Sequence, residues 1–381
     1  MITAKRLESV QEYYFSKKLR EVAALRESGK PVINLGIGSP DLAPPAEVIA
    51  ALNSALLTTN AHQYQPYKGI VALRNAMSEF YREKFKVNLD PESQILPLMG
   101  SKEGIMHISM AFLNKGDKVL IPDPGYPTYN AVSQLLETEV ETYELSEKDN
   151  WLPNFSSLEN QDLSRVKIMW VNYPHMPTGT NASREVFVKL TEFAEKHRIL
   201  VINDNPYSFI QNNDPKSILA SDVKSDYVME LNSLSKSFNM AGWRVGMLAG
   251  SEKNINAVLK VKSNMDSGMF FPVQAGAVEA LKLSDVWFKQ QNSIYSARKI
   301  KVMELVEELG CDAKQDQAGL FVWAKTPDGI STEEIVDSLL YEKNIFITPG
   351  FIFGKQGEGY IRLSLCANEE TIEEALKRVR S

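Results

Sequence analysis

Short apolar runs alternate with amphipathic stretches from Ala46 to about Leu283, and no other feature of the sequence constrains the fold as tightly. A run without a polar face must be covered on both sides, and helices laid over and under a parallel sheet meet that demand. Candidate buried strands are Ile95 to Met99, Lys118 to Ile121, Lys167 to Asn172, Ile199 to Asp204, Val228 to Leu231 and Val245 to Ala249. Several end at a polar or glycine-rich turn, the edge at which an open α/β sheet presents ligand-binding groups. Beyond Ser284 a long helical pattern reaches Leu309. Apolar runs follow at Leu320 to Trp323, Ile345 to Thr348 and Tyr360 to Leu365, with helices between and after. The expected fold class is α/β, a mainly parallel central sheet with helices on both faces, plus a smaller α+β domain.

The expected organisation is an N-terminal arm at 1–45 that joins the small domain, a large domain at 46–283 and a small C-terminal domain at 284–381. Arg6 to Ser28 reads as an exposed, charge-rich helix of the arm, and the turn-rich Gly36 to Pro45 ends its extended part. Two domains suit a chain of 381 residues, because a single core stops growing near about 250 to 300. There is no internal repeat and no Pro-, Gly- or Ser-rich linker, so the two should pack closely.

A net charge of -6 without a basic block argues against nucleic acid or an anionic membrane as the main partner and favours a small molecule. Cys311 and Cys366 show neither CxxC spacing nor a cysteine and histidine cluster, so no disulfide framework and no metal site is expected. Met1 to Ser16 lacks an apolar core, and no run approaches the ~18 residues that span a bilayer, so a cytoplasmic location is expected.

The chemistry concentrates in a few segments. Ser233-Leu234-Ser235-Lys236-Ser237-Phe238, followed by Gly242, Arg244 and Gly246, sets one lysine among hydroxyls and just ahead of an arginine. An imine-forming lysine must spend time neutral, and a neighbouring cation penalises its charged form; Ser233 and Arg244 would bind a phosphate beside it. Asp204 and Tyr207 close the run Ile199 to Ile202 at the ligand-binding edge. A carboxylate there would keep a pyridine nitrogen protonated, and a phenol would hydrogen-bond the ring's 3-oxygen. Gly100-Ser101-Lys102-Glu103-Gly104 follows one strand and opens a helix, whose free N–H groups and dipole favour a phosphate. In Pro122 to Pro127, Tyr126 stands where it would stack on a planar ring.

In this order the elements resemble, essentially end to end, the class I and II aminotransferases of pyridoxal-phosphate (PLP) fold type I. The resemblance also takes in Gly36-Ile37-Gly38-Ser39-Pro40-Asp41, Tyr64 to Gly69 with Leu73-Arg74, Pro177-Thr178-Gly179 and Tyr360-Ile361-Arg362-Leu363-Ser364. It implies pyridoxal 5'-phosphate as cofactor, held as a Schiff base on Lys236, with Asp204 at the pyridine nitrogen, Tyr207 at the 3-oxygen and Tyr126 on the ring. Gly100, Ser101, Lys102, Ser233 and Arg244 would surround the phosphate. Arg362 would hold the substrate α-carboxylate in a bidentate fork, with Gly38 beside it. Tyr64 would reach the neighbouring subunit's phosphate, which implies a homodimer with shared active sites. The implied activity moves an amino group from an amino acid to a 2-oxo acid. A C–S β-lyase on the same scaffold and a non-catalytic relative that senses an amino acid or PLP are the alternatives. Either Ser263 to Pro272 or Tyr13 to Lys18 would set specificity.

One position departs from the pattern. The family reads Asn-Pro-Thr-Gly where this chain has Met176-Pro177-Thr178-Gly179. The missing amide would hydrogen-bond the 3-oxygen, so a thioether there should raise the pKa of the Lys236 imine. Tyr207 would then carry that oxygen alone; a substitute from His175 or Asn172 is the competing expectation.

Overall fold

The computed structural model describes residues 3–8, 14–221, 223 and 225–381. Tyr13, expected near the substrate, lies outside them. The main sheet has seven strands: β1 Ile95–Leu98, β2 Lys118–Asp123, β3 Glu139–Glu144, β4 Val166–Val171, β5 Leu200–Asp204, β6 Val228–Ser233 and β7 Gly246–Gly250. Their order is β1-β7-β6-β5-β4-β2-β3. β3, β2, β4, β5 and β6 run parallel, and β7 runs antiparallel to both its neighbours.

Side chains alternate across the strands as the period of two requires. Val119, Ile121, Ile168, Trp170, Leu200 and Ile202 pack with residues of helices Ser101–Phe112, Pro127–Leu135 and Glu252–Lys262. The intervening Leu120, Met169, Val171 and Val201 join Phe187, Leu190 and Phe193 of helix Arg184–His197. Glu230 interrupts the apolar run of β6 and is wholly buried. It is satisfied there by Tyr81 Oη at 3.0 Å, Asn203 Nδ2 at 3.2 Å and the Ile218 N–H at 3.1 Å.

The C-terminal part carries a second, antiparallel sheet of β8 Phe321–Lys325, β9 Thr348–Pro349 and β10 Tyr360–Ser364, ordered β9-β10-β8. Helices Asp285–Glu308, Thr332–Tyr341 and Glu369–Arg380 accompany it. The apolar run expected from Ile345 to Thr348 is divided. Ile345–Phe346 pairs in parallel with Ile33–Asn34, whereas Thr348 and Pro349 pair with Arg362 and Ile361. The arm is thereby stitched to the small sheet. Ser364 N donates to Leu35 O (2.7 Å), Thr348 Oγ1 to Gly36 O (2.8 Å), and Arg298 grips Asp41 bidentately at 2.7 and 2.8 Å.

One expectation is corrected and one strand was not foreseen. The N-terminal helix spans Tyr14–Glu27 and is not wholly exposed: Val22 is buried against Val32, Leu340 and Phe346, because one apolar stripe suffices to dock it. Strand β3 carries too much charge to read as a buried run. It lies at the edge of the sheet, paired only with β2, where water covers one side.

Candidate active site

The parallel strands all point their C-terminal ends at one edge. The loops there deliver Ser101 and Lys102 after β1, Tyr126 after β2, Asn172 and Met176 after β4, Asp204 and Tyr207 at the end of β5, and Ser233, Ser235 and Lys236 at the end of β6. Because β7 runs the other way, the residue before its start, Arg244, arrives at the same edge. These residues enclose a cavity of about 390 Å³ that is closed from the other side by Ile37, Gly38, Phe321, Phe353 and Arg362. Asp123 at the end of β2 fixes part of that roof, accepting from the N–H groups of Lys355 (3.1 Å) and Gln356 (2.9 Å).

Lys236 Nζ donates to the Gly38 carbonyl at 2.6 Å. Burial holds its ammonium below the usual lysine range; the charges of Arg362 and Arg244 push the same way, while Cys366 opposes them. Asp204 is buried, and burial raises its carboxyl to about 7 although a hydrogen bond from Tyr129 pulls it down. Tyr129 Oη donates to Oδ2 at 2.8 Å, and its ring stacks on Trp170 with centroids 5.0 Å apart. The other oxygen, Oδ1, is buried with no hydrogen-bond partner among the described residues. A buried, unmatched acceptor is costly unless a ligand donor meets it.

At the opposite end Arg244 lies across Gly100. Gly100 has φ +91°, and a Cβ there would fall 2.2 Å from Arg244 Nη2. Arg244 Nη1 donates to the Ala241 carbonyl at 2.7 Å and to Ser235 Oγ at 3.3 Å. Burial, with Arg244 close by, lowers the Lys102 ammonium. Ser101 opens helix Ser101–Phe112, so its N-terminal N–H groups face the same corner. Two cations crowded at a helix N-terminus form an anion seat.

The guanidinium of Arg362 lies 3.7 Å over the Phe321 ring and 4.7 Å from that of Phe353. Nη2 donates to the Gly36 carbonyl at 2.8 Å, and Nη1 lies 3.3 Å from Met176 Sδ. Tyr207 is buried nearby; burial raises its phenol, and Arg362 pulls it down. His175 turns away from the cavity. Its Nδ1 meets Thr178 Oγ1 at 2.9 Å, and burial pushes the imidazole down to about 3. Asn172 does line the cavity, but its amide is engaged: Nδ2 donates to the Asp204 carbonyl and Oδ1 accepts the Met176 N–H at 2.9 Å.

Of the residues expected from sequence, Lys236, Asp204, Tyr207, Ser101, Lys102, Tyr126, Ser233, Arg244, Arg362 and Gly38 line one cavity, and Gly100 lies directly under Arg244. Tyr64 does not. It is 91% exposed and lines a separate hollow with His62, Ser267 and Phe270. Sequence reasoning missed Tyr129 and Ser235 and the apolar Leu19, Ile37, Phe321 and Phe353. Tyr129 carries a faint signal, standing three residues after Tyr126 on the opening turn of a helix. Away from the cavity, Glu103, His107 and Asp266 converge closely enough to hold a cation. Lys262 Nζ already lies 2.9 and 2.8 Å from the two Asp266 oxygens there.

A buried amine held below its usual pKa, an unmatched buried carboxylate, a phenol and an anion seat, gathered at the strand ends of an open α/β sheet, suit pyridoxal phosphate point by point. The fold and site define a pyridoxal-phosphate enzyme of fold type I. The chain belongs to the family described as aminotransferase class I and II, whose profile matches residues 30–379. It is 39% identical over 381 residues to an LL-diaminopimelate aminotransferase of Dehalococcoides mccartyi, covering 100% of this chain and 98% of that one. An LL-diaminopimelate aminotransferase of Aquifex aeolicus is 36% identical over 378 residues, with 99% and 98% covered. Among solved structures, apo-BacF from Bacillus subtilis superposes with a TM-score of 0.95 at 32% identity, covering 100% of this chain and 98% of that one. The chain is a PLP-dependent aminotransferase acting on amino and 2-oxo acids, and the lyase and sensor alternatives find no support in these likenesses. No helix among the described residues is long and apolar enough to cross a membrane.

Proposed function

We propose that Lys236 is the residue that carries the cofactor and moves the proton, with the surrounding side chains dividing the remaining work. When bound, pyridoxal phosphate supplies an aldehyde for the amino group and a ring that withdraws electrons from the substrate Cα. Asp204 Oδ1, buried with no partner among the described residues, would accept the N–H of the pyridine nitrogen, while Tyr129 keeps Oδ2 occupied and the carboxylate turned one way. Tyr207 donates to the 3-oxygen, and Tyr126 supports the ring face. Ser101, Lys102, Ser233, Ser235 and Arg244 hold the phosphate around the Gly100 turn.

Arg362 offers its fork to the α-carboxylate, already aligned by Phe321, Phe353 and the Gly36 carbonyl. With its amine free and neutral, Lys236 would take the proton from the substrate Cα. A neutral amine is required for that step, and burial favours it. The observation that carries this reading is the buried Lys236 amine, with Arg362 and the unmatched Asp204 oxygen lining the same cavity.

Relatives named LL-diaminopimelate aminotransferase suggest an α-amino acid donor. The proposed arrangement is 1–45 as arm, 46–283 as cofactor domain and 284–381 as small domain. Two such chains form a cytoplasmic homodimer that shares its sites through Tyr64; the 91% exposure of that tyrosine, far from any use in its own chain, supports the sharing. Borohydride fixation of the bound cofactor followed by peptide mapping tests the assignment. The label is expected on Lys236, and a label on another lysine, or none, rejects it.

A further inference from the structure

Given the cofactor and carboxylate positions proposed above, the cavity divides by chemistry. The phosphate corner, the ring contacts, Lys236 and Arg362 account for every charged side chain in its lining. What remains for a substrate side chain is Leu19, Ile37, Met176, Phe321 and Phe353, together with small or backbone surface, the hydroxyl of Ser16 and the Asn172 amide, whose groups are already engaged. Leu19 is 39% exposed on the N-terminal helix, a large apolar residue left at the cavity mouth.

Among the described residues, no further Lys or Arg lines the cavity to meet a distal carboxylate. Lys17, Lys18 and Arg20 share the helix of Ser16 and Leu19 but are not part of the lining. Lys18 is paired with Glu21 at 3.0 Å. Of the stretches that sequence reasoning brings near this site or a neighbour's, 263–272 contains no Lys or Arg, 13–18 contains Lys17 and Lys18, and 64–69 contains Lys68, which donates to the Glu92 carbonyl at 3.2 Å. Lys262 is buried and spent on Asp266 and the Tyr67 carbonyl, both at 2.9 Å. A carboxylate carried into the apolar half would lose its hydration without an ionic partner, whereas each added methylene gains contact.

We propose that the amino donor has an uncharged, apolar side chain, aliphatic or aromatic, and that Leu19, Ile37 and Phe353 set that preference. The substrate class differs from diaminopimelate, a dicarboxylic acid, for which the relatives above are named.

Two measurements on the PLP-loaded enzyme test this. Calorimetry compares binding of the unreactive acids 4-methylpentanoate and 3-phenylpropanoate with that of glutarate. Bleaching of the yellow cofactor compares leucine, methionine and phenylalanine with glutamate, aspartate and LL-diaminopimelate. The apolar acids are expected to bind at least about tenfold tighter, and the apolar donors to react about a hundredfold faster in kcat/KM. Leu19→Arg, a change at an exposed position, should narrow or invert both ratios. Glutarate binding as tightly as the apolar acids overturns the proposal, as does bleaching by glutamate or LL-diaminopimelate at least as fast as by leucine or phenylalanine. A cofactor that no amino acid bleaches would instead defeat the roles assigned to Lys236 and Arg362, and the calorimetric comparison would still decide the substrate class.

Discussion

Asp204 and Leu19 line the same cavity but are held there by different means. Asp204 ends a buried strand, and its carboxylate and carbonyl are gripped by Tyr129 and Asn172. Leu19 stands on a mostly exposed helix of the arm and offers only a hydrocarbon surface. The floor of the site is polar and over-determined, while the mouth is apolar and weakly constrained. A group whose charge must act at one atom needs fixed partners; a group that only has to exclude water from a substrate side chain does not. Chemistry and selectivity are therefore separable here, and substitutions on the floor should cost turnover whichever donor is offered.

The largest test of that separation is Lys236→Ala. Turnover should fall by about 10³-fold or more, the scale of a lost proton-transfer group, with every donor affected alike. Multiple turnover near the parent rate, in single-wavelength assays with several donors, would break the contrast at its strongest point.

Tyr129→Phe probes the floor without touching the reacting atoms. Losing a hydrogen bond to a charged group should weaken cofactor binding about tenfold and raise the Asp204 pKa further. The sign of the linked stability effect follows. Asp204 sits at about 7 when folded, above the ordinary carboxylate value, so the folded apo-protein binds the extra proton between roughly pH 4 and 7. Its contribution to stability is complete below pH 4 and is lost as pH rises through 7, by up to about 1.4 kcal/mol per pH unit. Denaturant melts of the parent and of Asp204→Asn across that range should diverge accordingly. In Tyr129→Phe the loss should extend to higher pH, and identical profiles would show that Tyr129 is only packing.

The smallest expected effect is at Met176, where floor and mouth meet. Met176→Asn restores an amide beside the 3-oxygen position, so the pH at which the cofactor's visible band shifts should drop by about one unit, with little change in donor preference. A spectral titration identical to the parent's would mean that Tyr207 already saturates that oxygen.

Much of the floor was readable in the sequence because its residues sit at the ends of runs that must be strands. Asp204, Lys236 and Arg244 are each located by the apolar segment beside them. Tyr129 was not, since its meaning depends on a helix meeting a strand 75 residues away, a distance no local period records. The mouth was harder still. Ile37, Phe321 and Phe353 look in sequence like any other core residues, and only the packing of arm on small sheet turns them toward the cavity. The division of Ile345 to Thr348 between two sheets was hidden for the same reason, because nothing within the run marks where the pairing partner changes. Strand β3 was lost to its charge, which an edge tolerates and a buried strand does not.

At Gly100 the chain supplies a hydrogen where any other residue would put carbon, and the guanidinium of Arg244 rests in the space left over. A single methyl group at that point would leave the protein's charge, length and hydrophobic pattern untouched yet deny the arginine its seat. The strictest requirement for seating Arg244 is thus borne by a residue with no functional group, through an atom that is not there.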